Sequence, residues 1–202
     1  MNLQLLGQIA NQPSEQRLLL DGVSWQQYET LLAVLGDDFP NLRLSFLEGK
    51  LEIMTTSPEH EELKTIIAML LEAYFQETRT RFHGIGAATF RKVAKQRGLE
   101  PDECYCLGTQ RKEVPDIAIE IVLTSGLVDK LEIYRGLGVT EVWQWRNERF
   151  SIYHLRSLGY EVLENSELLP NLNFAVLTSF VNPGEQFEAV MAYREAIRAS
   201  QS

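Results

Sequence analysis

Pro115-Asp116-Ile117-Ala118-Ile119-Glu120-Ile121-Val122-Leu123 is the stretch whose reading decides the fold. From Ile117 to Leu123 every residue but one is apolar. A strand buried on both faces has this near-continuous pattern, whereas a strand with one wet face alternates. Helices must then cover both sides, which predicts an α/β (α+β) protein with a mixed β-sheet flanked by helices. The exception is Glu120. A carboxylate inside an apolar strand is costly to bury alone, so it needs a cation, a metal or a hydrogen-bond network. Two settings meet that need: a structural ion pair or strand end at solvent, and a site that uses the charge.

The flanking sequence fits this frame. Downstream, the spacing predicts a helix over roughly Leu127–Leu137, ended by Gly136 and Gly138. A hairpin follows, Glu141–Trp145 with Phe150–Leu155 around Arg146-Asn147-Glu148. Upstream, Ala87–Val93 and Cys104–Leu107 read as short strands linked by Gly98-Leu99-Glu100-Pro101. Ser57 caps a long helix with Pro58 at its first position and Glu61 in its first turn. Leu63, Ile66, Ile67, Leu70, Leu71, Tyr74 and Phe75 form its apolar face. Leu42–Met54 reads as a hairpin turning at Glu48-Gly49-Lys50. Ser24 caps a helix that carries Trp25, Tyr28, Leu31, Leu32 and Leu35 and ends at Gly36. Pro183-Gly184 precedes a last helix with Phe187, Val190, Met191, Tyr193 and Ile197.

The chain of 202 residues is expected to form one domain over 1–202, with 1–17 a loose, weakly patterned N-terminal arm. That length buries a core without disulfide or metal staples. Cys104 and Cys106 stand two apart, which fits neither a Cys-x-x-Cys motif nor a bridge, and are expected to be reduced apolar residues. No secretory leader pattern and no membrane-length apolar run are visible, so the expected location is cytoplasmic with no membrane partner. The net charge of −9 constrains function. A protein that grips nucleic acid by its phosphates needs local positive charge, or charge borrowed from a metal or partner. Arg79, Arg81, Arg91, Lys92, Lys95 and Arg97 form the one basic stretch, which reads as a phosphate contact or as a solvated face.

Two aspartates precede Glu120, and geometry separates them. Asp116 and Glu120 lie four apart on one strand, about 13 Å at ~3.3 Å per residue. Two ligands of one hard cation must each reach within ~2.0–2.6 Å of it. Asp102 is far enough along the chain to return on the neighbouring strand, where partners sit ~5 Å apart. The pair that can share a metal is therefore Asp102 and Glu120, while Asp116 shapes the strand entry.

These residues resemble the PD-(D/E)XK nuclease superfamily, and more closely its Uma family of restriction endonucleases. The resemblance rests on Leu51-Glu52-Ile53-Met54 with Ser57-Pro58-Glu59-His60, on Thr89-Phe90-Arg91, Glu100-Pro101-Asp102 and Pro115–Ile121. It continues through Thr124-Ser125, Asp129–Tyr134 and Gly138–Trp143. It implies a restriction-endonuclease-like core, a nucleic-acid substrate, DNA above all, and a divalent metal, Mg²⁺ or Mn²⁺. Asp102 and Glu120 would be its ligands, aided by a main-chain carbonyl near Ile121. The superfamily lysine two residues after the acid is Val122 here, and the resemblance offers Lys130 instead. Lys130 is equally readable as a solvated helix residue. His60, in the first turn of the long helix, is the fourth catalytic candidate, with capping or exposure as the alternative, and Glu52 faces the same cleft. His83 and His154 have no supporting pattern. A homodimer through the aromatics Trp143, Trp145 and Tyr153 is expected. The alternative function is a non-catalytic binding or assembly protein on the same fold with a vestigial metal site.

Overall fold

The computed structural model describes residues 15–35, 39, 41–92, 94 and 96–201. The strands are β1 (Arg17–Asp21), β2 (Leu42–Leu47), β3 (Lys50–Thr55), β4 (Phe82–Gly84), β5 (Phe90–Lys92), β6 (Arg97–Leu99), β7 (Glu103–Leu107), β8 (Ile117–Ile121), β9 (Glu141–Arg146), β10 (Arg149–Leu155) and β11 (Tyr160–Leu163). The helices are α1 (Trp25–Leu35), α2 (Pro58–Glu77), α3 (Lys130–Leu137), α4 (Phe174–Ser179) and α5 (Gln186–Gln201). None is long and apolar enough to cross a membrane.

The strands form two sheets rather than one. A five-stranded antiparallel sheet runs β1-β3-β2-β6-β5, and a six-stranded mixed sheet runs β11-β10-β9-β8-β7-β4. Among the described residues β8 and β9 are the one parallel pair, with α3 as the crossover between them. The odd residues Ile117, Ile119 and Ile121 of β8, with Trp143 and Trp145 of β9, pack on Ile66, Ile67 and Leu70 of α2 and Tyr193 and Ile197 of α5. The even residues Ala118 and Val142 face Ile133, Tyr134 and Leu137 of α3, together with Leu99, Leu47 and Leu19 of the other sheet. Helix α3 is thus held between the two sheets. The outer face of the five-stranded sheet packs Leu44, Phe46 and Leu51 under Tyr28 of α1. The five residues of β8 are all buried, as the apolar run requires.

Local chemistry explains the boundaries. The Ser57 hydroxyl accepts from His60 N at 3.1 Å, and Pro58 takes the first helical position of α2. Ser24 and Gln27 form a reciprocal cap at α1. The β2–β3 hairpin turns on Glu48 and Gly49, with φ 47° and 92°. Helix α3 begins at Lys130 rather than Leu127, because Asp129 caps it by accepting from Glu132 N at 3.2 Å. Cys104 and Cys106 are buried free thiols.

Several expectations are corrected. Gly98 and Leu99 belong to β6, which joins β2 and β5, rather than to a linker. The strand expected over Ala87–Val93 is confined to Phe90–Lys92, with Val93 outside the described residues. Of the arm read over 1–17, residues 1–14 lie outside the described residues, but Glu15 is buried and Arg17 opens β1 opposite Met54. Gly36, the expected end of α1, is also outside them. Trp143 and Trp145 are not a surface aromatic patch: they are 0 % and 4 % exposed, packed under α2 and α5, which removes the basis for a dimer through this hairpin. Phe187 and Met191 of α5 are exposed, while Ala189, Tyr193 and Ile197 make the buried stripe.

Candidate active site

Antiparallel pairing of β7 with β8 sets Glu103 opposite Ile119 and Cys104 opposite Ala118. The same register, carried one residue further, brings Asp102 opposite Glu120. Both carboxylates are buried, 2 % and 1 % exposed. Asp102 Oδ2 accepts from Ile121 N at 2.7 Å, so the two side chains lie together at the end of β8. Parallel pairing then places Gln144 of β9 beside Glu120 on the other side.

Helix α3 returns over this point. Lys130, its first residue, puts Nζ 2.5 Å from Glu120 Oε2. Tyr134, one turn on, donates its hydroxyl to Glu120 Oε1. The spacing of four places both side chains on one helix face, which is the signal in the sequence that could have found Tyr134. Burial raises the Glu120 pKa and the Asp102 charge adds to it, with Lys130 acting in the opposite sense. Burial pulls Lys130 down, but Glu120 and Asp102 outweigh it and hold the ammonium protonated.

His60 comes from the first turn of α2 and is fully buried. Its Nδ1 lies 2.8 Å from Glu15 Oε1 and its Nε2 2.9 Å from Asp102 Oδ1, the latter too bent for a regular hydrogen bond. Burial lowers the imidazole pKa, but the two carboxylates overcome this and raise it to about 9. Burial raises the Asp102 pKa, and His60, Lys130 and the Ile121 amide more than reverse it. Glu15 and Arg17 extend the network. Arg17 donates to Glu52 Oε1 at 2.7 Å, to Glu15 Oε2 at 3.2 Å and to Thr124 Oγ1 at 2.9 Å. Glu52 Oε2 accepts from the Leu127 and Val128 amides, which pins the loop ahead of α3. Four acidic side chains (Glu15, Glu52, Asp102, Glu120) thus share three basic ones (Arg17, Lys130 and His60).

The structure therefore brings Asp102, Glu120, Lys130 and His60 into one cluster and ties Glu52 to it through Arg17. Asp116 stands apart: its carboxylate accepts from Leu107 N at 2.7 Å and pairs with Lys112 at 2.6 Å. The basic stretch does not gather at the site. Arg91 pairs with Glu29, Lys92 donates to Leu137 O, Arg97 meets Glu48 and Glu132, and Lys95 is outside the described residues. Glu15 and Arg17 were not legible as site residues, since single anchoring side chains leave no periodic trace. His154, likewise without a pattern, joins a different buried carboxylate, Glu141.

A cavity of about 250 Å³ opens on the cluster, lined by Glu120, Lys130, Gln144, Arg146, Thr124 and Ser125 among others. Among the described residues no group of three or more His, Cys, Asp or Glu is arranged as a ready-made metal cage. Two carboxylates facing one another nevertheless suit a hard cation such as Mg²⁺, which takes one or two protein carboxylates and completes its shell with water and substrate oxygens. The donor set of two acidic side chains beside an open cavity therefore fits a divalent ion held by Asp102 and Glu120.

No curated protein matches the chain. A family model, Uma2, described as "Putative restriction endonuclease", matches residues 25–181, a span that contains Asp102, Glu120, Lys130 and His60 but not Glu15 or Arg17. With well over half its length in that match, the chain belongs to the Uma2 family.

Proposed function

We propose that the protein is a divalent-metal-dependent endonuclease that hydrolyses phosphodiester bonds, with DNA as substrate and Mg²⁺ or Mn²⁺ as the metal. The observation that carries this reading is the buried Asp102–Glu120 pair beside a protonated Lys130, with Glu120 and Lys130 lining the cavity at the end of β8. Family membership supports the nuclease chemistry. A bound divalent ion would polarise a phosphate oxygen and lower the pKa of an attacking water.

The residues divide the remaining work. Asp102 and Glu120 would hold the ion, with the main-chain carbonyl of Ile121 as a further oxygen. Lys130 supplies the fixed positive charge that offsets negative charge developing on the phosphate. Tyr134 holds the Glu120 carboxylate in place through its hydroxyl. His60 is walled off from the cavity and engages carboxylates on both nitrogens, so it acts by orienting Asp102 and is a positioning residue.

A second reading has one observation in its favour. All four oxygens of Asp102 and Glu120 already have protein partners, so Lys130 and His60 balance the pair without any metal. That arrangement suits a non-catalytic binding protein with a vestigial site. Calorimetry with Mg²⁺ and Mn²⁺, run beside cleavage of supercoiled plasmid and single-stranded oligonucleotides, separates the two. The nuclease reading expects metal binding and nicking that D102N and E120Q both abolish. Metal binding without cleavage of any substrate selects the second reading, and absence of metal binding by the wild type overturns the first.

A further inference from the structure

The face of the six-stranded sheet that carries Glu120 changes character along its strands. Its first row is apolar: Ala118, Val142 and Tyr153 lie side by side under α3. The next row is Glu120, Gln144 and Ser151. The row after that, past the cover of α3, is Arg146 and Arg149, which oppose each other across the β9–β10 hairpin. Two arginines in directly opposed positions repel one another, and sheets avoid like charges there.

Neither guanidinium has a carboxylate within salt-bridge range among the described residues. Arg146 donates to Ser125 Oγ at 3.1 Å, and Arg149 has no side-chain partner there. Glu148 sits in the intervening turn and pairs with neither. Arg17, Arg97, Arg135, Arg156 and Arg194 hold carboxylates, whereas Arg79, Arg81 and Arg111, which also lack one among the described residues, do not line the cavity at Glu120. Arg146 lines the cavity that contains Glu120 and Lys130. It also lines a neighbouring groove of about 630 Å³ with Asn147, Glu148, Glu59 and Trp145. The arginine row lies two residues along β9 from Gln144, ~6.6 Å at strand spacing. That is the scale of one nucleotide step along a backbone.

We propose that Arg146 and Arg149 form a phosphate clamp that grips the nucleic-acid backbone one step from the bond cleaved at Asp102 and Glu120. The clamp rests on the nuclease reading and adds positive charge that no carboxylate of the described residues already holds, in a chain with net charge −9. An incoming phosphodiester relieves the repulsion between the paired guanidinium groups, and each presents a planar fork suited to phosphate oxygens. The remaining carboxylates near the clamp, Glu148 and Glu59, steer the backbone toward the Gln144 side of the hairpin rather than into the larger groove.

The test is fluorescence-anisotropy binding of a labelled DNA duplex, with single-stranded DNA and RNA of the same sequence alongside. It is run across a salt series in the E120Q background, where the oligonucleotide stays intact. R146Q and R149Q should each weaken binding by roughly tenfold and each reduce the log–log salt slope by about one. Arginine-to-lysine changes at the same positions should restore the salt slope. Circular dichroism checks that each variant folds, as expected for changes at exposed positions. Unchanged affinity and slope in both variants overturn the clamp and leave the nuclease reading standing on plasmid cleavage by the wild-type chain. No binding of any of the three probes by the parent protein also overturns the clamp, and the nuclease reading is then decided by metal binding and plasmid cleavage of the wild-type chain.

Discussion

Glu120 and Glu141 are both fully buried carboxylates of the same sheet, on adjacent strands, and they live in opposite chemical worlds. Glu141 lies opposite Ile117, at the end of the sheet where β8 begins. It is satisfied by donors alone: Trp143 Nε1 at 2.8 Å, Ser166 Oγ at 2.6 Å, the Glu167 and Leu168 amides at 2.9 and 3.2 Å, and His154 Nδ1 at 3.0 Å. Those donors tie the segment after β11 to the sheet. Glu120 lies near the other end, faces a second carboxylate, depends on one ammonium and one phenol, and borders a cavity. Burial alone does not separate a structural carboxylate from a working one. The partners do: a closed ring of donors stabilises a fold, whereas two acids side by side at the edge of a cavity are placed to take another positive group.

The sharpest break in this contrast is between activity and stability. E120Q and D102N are expected to cut plasmid cleavage by at least ~10³-fold while the protein stays folded, since each removes a charge the metal needs. E141Q is expected to do the reverse, keeping cleavage near the wild-type rate. It replaces an acceptor by a donor amid five donors, and should cost about 3 kcal/mol in urea denaturation. Equal effects of the two glutamine variants on both measurements would erase the distinction.

Lys130 sharpens it further. K130A strands Asp102 and Glu120 against each other, and the metal-free protein should lose about 3 kcal/mol. A divalent ion replaces the missing charge, so Mn²⁺ should raise the melting temperature of K130A more than that of the wild type. A smaller metal shift in the variant would show that Lys130 and the metal do not compete for the same role.

The His60 imidazole titrates at about 9 in the fold, above its ordinary value near 6.5. Its contribution to stability is therefore complete below pH ~6.5 and disappears as pH rises through about 9, a loss on the order of 3 kcal/mol. Stability of the wild type measured between pH 6 and 10 should fall over that window, and H60Q should flatten the fall. The smallest expected effect is that of Y134F, which removes one hydrogen bond to Glu120 and should cost about 1 kcal/mol by thermal denaturation.

The sequence carried the skeleton of the fold because its signals are local. A serine cap with proline at Pro58, a glycine turn at Gly49 and the apolar run of β8 each act within a few residues. The site was legible in its core: Asp102, Glu120 and Lys130 follow from strand geometry and family resemblance. What stayed hidden depends on distant partners. Strand β6 has three residues and exists because Phe46 pairs with Gly98. A Cβ at Gly98 would sit 2.5 Å from the Tyr28 hydroxyl, so the glycine is there for Tyr28 rather than for a turn. Trp143 and Trp145 share a face with Ile119 and Ile121, which only the pairing of β8 with β9 reveals. Glu15 and Arg17 enter the site from a segment with no pattern at all.

The parallel β8–α3–β9 unit runs from Ile117 to Arg146 and carries Glu120, Lys130, Tyr134, Gln144 and Arg146. Its contacts to Glu120 stay within one short stretch of chain. Lys130 lies ten residues from Glu120 and Tyr134 fourteen, whereas Asp102 must arrive on β7 and His60 on α2. The β7–β8 pairing spans a comparable stretch, so of these partners His60 is the one that comes from far along the chain. One contiguous stretch, from Asp102 to Arg149, therefore carries the carboxylate pair, the ammonium and both arginines.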